Sequence, residues 1–559
     1  MTRTYPLAER TDVVDDMHGH KVMDPYRWLE DADDARTREW NERQSAQLEH
    51  ERESWSTRDT FAESVQALLG AGAVSLPVHR SERVFFTQRQ PGQQFGVLFV
   101  READGSERVL LDPMELDPTG STTLDAWQPS KGGERLAYQV SEGGTEESVL
   151  YVMDVATGEV IDGPIDRCRY SPVAWIPGGE RFYYVRSLPP ELLPESERGF
   201  HRRVFLHTVG ADAAKDANVF GAGMTITNYY GVEVSRDGRW LQVSAAEGTE
   251  PRNDLWVADL TTTPADRPAF QQVQVDVDAQ TSLTFGRDGR VFVSTDLEAP
   301  RGKLAVTEPG QWGSSQWVDL VAEDPEAVLE SVAILDGPDL DEDLLLVTTT
   351  AHGVAVMTLR RATDGTVVTE VELPGAGTVA GPIEQPLGGP VVWFAYTDHT
   401  QVPTIYSFDA RTRQVELYAT PPGSVEVPDV HSQLVTYDSA DGTTVRLFIV
   451  SPTEAPDRPR PTVLYGYGGF GIPMQPGFSA AILSWVAAGG VWAVACLRGG
   501  GDEGEQWHRD GMLDKKQNVF DDFHAAARYL STDGWTTPQQ LGIYGGSNGG
   551  LRVGAALTQ

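Results

Sequence analysis

Cysteine is almost missing from this chain. Cys168 and Cys496 are the only two in 559 residues, and they lie far apart. A disulfide framework is thereby excluded, and a reducing compartment is expected. No Cys/His grouping has zinc-ligand spacing and no H-E-x-x-H occurs, so no metal and no other cofactor is expected. Long apolar runs are missing too. None approaches the ~20 residues that a membrane helix needs, and the opening residues from Met1 to Arg10 contain no apolar h-region. Positive charge is scarce: 45 Lys and Arg stand against 82 Asp and Glu, a formal net charge of −37. Phosphate neutralisation needs clustered Lys and Arg, so nucleic-acid and anionic-membrane partners are excluded. The acid is dispersed apart from small clusters such as Glu30, Asp31, Asp33 and Asp34, which reads as a solvated surface. The expectation is a soluble, cytoplasmic monomer.

Three segments differ in character. Residues 1–75 are polar and read as helical. Asp24 followed by Pro25 looks like an N-cap with proline at the first helical position, and Thr37 to Ser54 contains neither Gly nor Pro. In residues 76–425, helical periodicity is what is lacking. Short β-rich runs begin at Arg83, Arg135, Arg181, Arg239 and Arg290, each after a polar or glycine turn, with weaker members near Asp341 and Gly388. Anchors at 82, 133, 179, 238, 289, 340 and 388 are spaced by 51, 46, 59, 51, 51 and 48 residues. A period of roughly 50 residues fits the four-stranded blades of a propeller, and seven anchors suggest seven blades. A second hairpin per repeat is visible at Val149–Val155, Asp254–Leu260 and Thr404–Ala410. A pair of β-sandwiches would not explain the even spacing. In residues 426–559 strands at 461–465, 490–497 and 541–544 alternate with helical segments, which implies a parallel sheet with ligands bound beyond its carboxyl ends.

The chemistry concentrates at the last of these ends. Leu541 to Tyr544 reads as a buried strand. Gly545, Gly546, Gly549 and Gly550 flank Ser547, and Leu551 onward can form a helix. Strand, glycine turn and helix are the context of a nucleophile elbow, in which a strained turn exposes one Oγ. A serine hydroxyl needs an adjacent base, normally a histidine oriented by a carboxylate. In hydrolases of this kind Asp or Glu and then His follow the serine. Residues 548–559 contain neither Asp, Glu nor His. Upstream, His508 and His524 read as structural or surface histidines.

Several motifs together resemble the prolyl oligopeptidase family of serine peptidases. They are Asp24 to Asp31 (DPYRWLED), Tyr465 to Phe470 (YGYGGF), Arg498 to Gly501 (RGGG), Trp507-His508, Lys516 to Phe523 and Gly545 to Gly550 (GGSNGG). The resemblance implies a seven-bladed β-propeller capping an α/β-hydrolase domain, incomplete in this chain. It implies segments at 1–75 packing on the hydrolase domain, 76–425 as propeller and 426–559 as the first part of the hydrolase. It places Ser547 at the nucleophile, Tyr467 and the backbone N–H of Asn548 at the oxyanion hole, and Phe470 at the substrate pocket. Arg498, Asp521 and Asp522 read as structural. The family's catalytic Asp and His, and the tryptophan that stacks on the substrate proline, fall beyond residue 559. The activity so implied is endopeptidase cleavage of short peptides after proline through an acyl-enzyme, with the fragment 1–559 itself inactive and its half-built sheet poorly stable. The glycine-rich motifs look more like the proline-specific branch than the basic-residue-specific oligopeptidase B branch. The alternatives are a related oligopeptidase with another P1 preference, or a propeller binding module with a hydrolase remnant.

Overall fold

The computed structural model describes residues 5–559, which form two compact units, residues 5–66 and 67–559. In the first unit, Val14–Met17 and His20–Met23 form an antiparallel hairpin that the sequence does not announce, because nearly all of its side chains are exposed. Asp24 does not open an α-helix. Arg27–Glu30 is a single 3-10 turn, and the Asp24 carboxylate accepts from Arg27 Nε at 2.5 Å instead. The first long helix, Ala35–Arg52, is capped by Asp34, which accepts from the Arg36 N–H at 2.9 Å. Arg58–Leu69 forms the second.

Seven antiparallel sheets follow in the second unit. Their first strands begin at Ala73, Thr122, Val173, Asn228, Thr281, Ala327 and Thr378. Each sheet is a meander of four neighbouring strands; the first carries one extra short strand, Val78–Arg80. This is a seven-bladed β-propeller, and the anchor turns of the repeat each lead into the second strand of a blade. The two middle strands of a blade carry most of its buried residues: Phe182, Tyr183, Tyr184 and Val185 on the second strand of one blade, Leu344 to Val347 on that of another. One anchor turn shows why glycine is needed. Gly238 has φ +76°, and a Cβ there would lie 2.3 Å from the ring of Pro177 in the preceding blade. Apolar clusters bridge neighbouring blades, for example Tyr183 and Val204 with Leu241 and Trp256.

The hydrolase sheet is built from β1 (His431–Asp438), β2 (Thr444–Ser451), β3 (Thr462–Gly466), β4 (Val491–Cys496) and β5 (Leu541–Tyr544). Their spatial order is β1-β2-β4-β3-β5. The β1/β2 and β2/β4 pairs are antiparallel; β4/β3 and β3/β5 are parallel. After β3 the chain passes through helix α1 (Ala480–Ala487) to β4 on one side. After β4 it passes through helix α2 (Gln517–Thr532) to β5 on the other. The chain thus leaves β3 for β4 on one side and crosses back to β5 on the other, so the turns that follow the parallel strands β3 and β5 stand side by side at one end of the sheet. Helix α2 buries Val519, Phe523, Ala526 and Leu530 against Leu447, Leu464, Val491 and Ala495 of the sheet, an i, i+4, i+7, i+11 stripe. At one edge Arg498, just beyond β4, meets the fully buried Asp522 of α2, with Nη2–Oδ1 at 2.6 Å and the Arg498 N–H on Oδ2 at 3.1 Å. Ser439 Oγ donates to the same carboxylate at 2.6 Å, and Arg498 Nη1 reaches Asp441 at 2.6 Å. Burial opposes the Arg498 charge, but the hydrogen bonds and charges of Asp522 and Asp441 outweigh it and raise its pKa.

Candidate active site

The site stands at the carboxyl ends of β3 and β5. Ser547 follows β5 by way of Gly545 and Gly546 and is the N-cap of helix α3 (Asn548–Thr558). Its backbone is at φ +52°, ψ −123°, a conformation that L-residues other than glycine seldom adopt. The residue is exposed. A serine in this backbone conformation, exposed between a strand and a helix, has the local geometry that a nucleophile elbow requires.

The opposite wall is the loop that leaves β3. Asn548 anchors it: its Nδ2 donates to the Tyr467 carbonyl at 2.8 Å and to the Gly468 carbonyl at 3.0 Å. Lys516 Nζ donates to the same Gly468 carbonyl at 2.7 Å. The close approach explains one glycine of the motif. A Cβ on Gly469 would come within 2.5 Å of the Asn548 amide. Tyr467 is half-buried, and its ring centroid is 6.5 Å from that of Phe470. Phe470 is 52% exposed at φ +57°. Further along the loop, Asp502 Oδ1 accepts from the Met474 N–H at 2.8 Å. Burial pushes the Asp502 carboxyl up to about 7, so this carboxyl is partly protonated near neutrality. Ser547, Asn548, Tyr467 and Phe470 are thus brought together.

His508 and His524 are not placed for catalysis by any motif. His508 is buried, with Nδ1 3.1 Å from Glu505, and His524 is half-buried on α2.

A cavity of about 870 Å³ lies between the propeller and the hydrolase domain and borders the site at Phe470 and Gly471. Blade residues Tyr229, Glu233, Asp296 and Glu330 line its propeller side. Burial raises all three of these carboxyls, Asp296 to about 6. The two domains meet at its rim through Arg509, bidentate on Asp278, and Arg301 on Glu503 at 2.8 Å. Sequence reading missed two features of the site, the Asn548 side-chain clamp and Arg552. Arg552 of α3 is fully buried beneath the elbow and donates to the Gly466 and Tyr544 carbonyls. Its signal was a lone charge in an otherwise apolar helix.

A propeller beside a hydrolase domain whose mixed sheet has a parallel core, with a strained serine at a strand end, defines a class. The family model described as "Prolyl oligopeptidase, N-terminal beta-propeller domain" matches residues 5–421, and that described as "Prolyl oligopeptidase family" matches residues 476–559. The chain belongs to the prolyl oligopeptidase family and is a serine peptidase of that type. Among its relatives, the prolyl endopeptidase of Elizabethkingia meningoseptica is 29% identical over 560 residues, covering 99% of this chain and 77% of that protein. A structure from a study of two prolyl endopeptidases and their inter-domain dynamics superposes with a TM-score of 0.90 at 34% identity. It covers 100% of this chain and 80% of the other. Prolyl oligopeptidase B of Galerina marginata, bound to a 25-residue macrocyclization substrate, gives a TM-score of 0.88 at 25% identity, with coverages of 99% and 80%.

Proposed function

We propose that this protein cleaves short peptides on the carboxyl side of proline through an acyl-enzyme formed on Ser547. The observation that carries the reading is Ser547 itself, held at φ +52° and exposed at the strand end, across from a loop that its own neighbour Asn548 fastens. Ser547 Oγ attacks the carbonyl carbon. Two donors face the oxyanion that forms: the Tyr467 hydroxyl and the Asn548 backbone N–H. The N–H groups of Gly549 and Gly550 are already taken by the Gly546 and Ser547 carbonyls, which supports Asn548 as the donor of the turn. Donors fixed before the reaction stabilise the developing charge without reorganising, a contribution of about 3–4 kcal/mol each in other hydrolases. Collapse of the tetrahedral intermediate expels the amine, and water then releases the acid. Phe470 lines the substrate pocket, and the propeller confines access to short or unfolded peptides. The proton of Oγ requires an imidazole oriented by a carboxylate, and residues 548–559 hold neither.

Proline preference is supported by the names of the relatives and by the glycine-rich motifs of the two loops. The reading includes a cytoplasmic monomer acting without nucleic acid or membrane. Its support is the net charge of −37 and two buried cysteines without a disulfide, and no helix among the described residues is long and apolar enough to cross a membrane. The test is a panel of fluorogenic peptides differing only at P1, given to the full-length protein. Cleavage after proline at least tenfold above that after Arg, Lys or Ala is expected; preference for Arg or Lys overturns the specificity. Labelling by a fluorophosphonate that is lost in Ser547→Ala is expected, and no labelling overturns the nucleophile.

A further inference from the structure

Arg552 is fully buried beneath the elbow. Its Nη2 donates to the Gly466 carbonyl at 2.9 Å and to the Tyr544 carbonyl at 2.8 Å. Those two carbonyls end β3 and β5, the adjacent strands that deliver Tyr467 and Ser547. Nη2 also lies under the turn, 2.7 Å from where a Cβ on Gly545 would stand and 3.8 Å from one on Gly549. The guanidinium carbon sits 3.5 Å from the ring centroid of Phe523. Nε and Nη1 have no hydrogen-bond partner, and among the described residues no carboxylate pairs with the side chain. Burial lowers its pKa to about 10, which still leaves the group charged at neutral pH.

An uncompensated guanidinium in a core is costly, and a leucine or methionine would fill the space at less expense. What the charge does here follows from its position. It clamps the ends of two strands whose separation sets the distance between nucleophile and oxyanion donor. It also places a positive charge in a low-dielectric region under the turn where the oxyanion forms.

We propose that Arg552 is a positioning residue for the reaction at Ser547, holding the ends of β3 and β5 in fixed relation and lending an unneutralised positive charge to the oxyanion side of the site. The proposal rests on the reading of Ser547 as nucleophile.

The test compares Arg552→Met, similar in length but neutral, with Arg552→Lys in the full-length protein, reading kcat, KM and thermal midpoint. For Arg552→Met, kcat falls about tenfold with KM within about twofold, and the thermal midpoint does not drop, because an unpaired buried charge has been removed. Arg552→Lys, which keeps the charge and can reach the same carbonyls, retains kcat within about threefold. Unchanged kcat in Arg552→Met overturns the proposal. So does an equal loss in both variants accompanied by lowered midpoints, which is the pattern of packing alone. If Arg552→Met does not fold, Arg552→Lys decides: a tenfold loss of kcat overturns, retention supports. A wild type that no fluorophosphonate labels removes the Ser547 reading and this proposal with it, whereas a labelled, active wild type with unresponsive variants removes this proposal alone.

Discussion

The propeller and the hydrolase domain solve the same packing problem in opposite ways. The propeller repeats one answer seven times: a buried second strand after a tight turn, an apolar seam to the next blade. No single blade is unique, and each is held from both sides. The hydrolase domain uses every element once. Its β3 is the sole strand flanked by parallel neighbours on both sides, and one loop, one turn and one helix start make the site. Repetition spreads stability over many contacts. Single use concentrates function, so that one side chain in the hydrolase domain should matter more than one in the propeller.

The sharpest form of that contrast is Ser547→Ala. Loss of the nucleophile of a serine peptidase costs on the order of 10⁴–10⁶-fold in kcat, and the full-length variant should be inert in the fluorogenic assay with an unchanged unfolding midpoint. Residual turnover within a hundredfold of wild type would assign the chemistry elsewhere. Next is Asp522→Ala, which strands Arg498 without its main partner inside the hydrolase core. Removing one member of a buried ion pair costs about 3–5 kcal/mol, to be read as a lowered urea midpoint. A loss below about 1 kcal/mol would mean that Asp441 alone satisfies the guanidinium. Smaller again is Asn548→Ala. The backbone N–H remains, but the two hydrogen bonds to the Tyr467 and Gly468 carbonyls go. At about 1 kcal/mol each, kcat should drop roughly tenfold or more with little change in stability, since Lys516 still holds Gly468.

The same contrast governs what could be read from the sequence. Second strands were visible where they carry a continuous buried run of aromatic and aliphatic residues, as in Arg181–Ser187. Outer strands were not. Val160–Ile165 is largely exposed and contains Gly163 and Pro164, so nothing distinguishes it from a loop. The hairpin Val14–Met17/His20–Met23 escaped notice for the same reason. The proline after Asp24 invited an N-cap where the chain makes only a 3-10 turn. In the site, the serine elbow was legible because strain demands glycine at fixed offsets, whereas Tyr467 and Phe470 were reached only through family resemblance. The clamps were illegible. The amide of Asn548 and the guanidinium of Arg552 act on main-chain carbonyls up to 81 and 86 residues away, and a carbonyl leaves no mark in sequence.

The smallest expected effect lies in the propeller, at a buried His–Asp cluster that couples two blades. His207, with no exposure, is on the strand Arg202–Thr208. Its Nε2 is 2.8 Å from Asp162, on the last strand of the preceding blade, and its Nδ1 is 2.9 Å from Asp216. Tyr184 Oη donates to Asp216 at 2.7 Å. Burial works against the imidazolium, but its hydrogen bonds to both carboxylates and their charges outweigh it, so the His207 pKa is raised. A raised folded-state pKa contributes stability that is fully present below the unfolded value of about 6.5 and disappears as pH climbs through the folded one. The thermal midpoint should therefore decline above pH 6.5 by a component that His207→Gln abolishes, measured as the difference between the two midpoint-versus-pH curves. The decline should be shallow, because the seam also holds apolar contacts between Val152, Phe182 and Tyr184 that do not titrate. Parallel curves would show that His207 is neutral in the fold. A drop as steep as the loss in Asp522→Ala would break the comparison itself, since one blade contact would then count for as much as a unique hydrolase one.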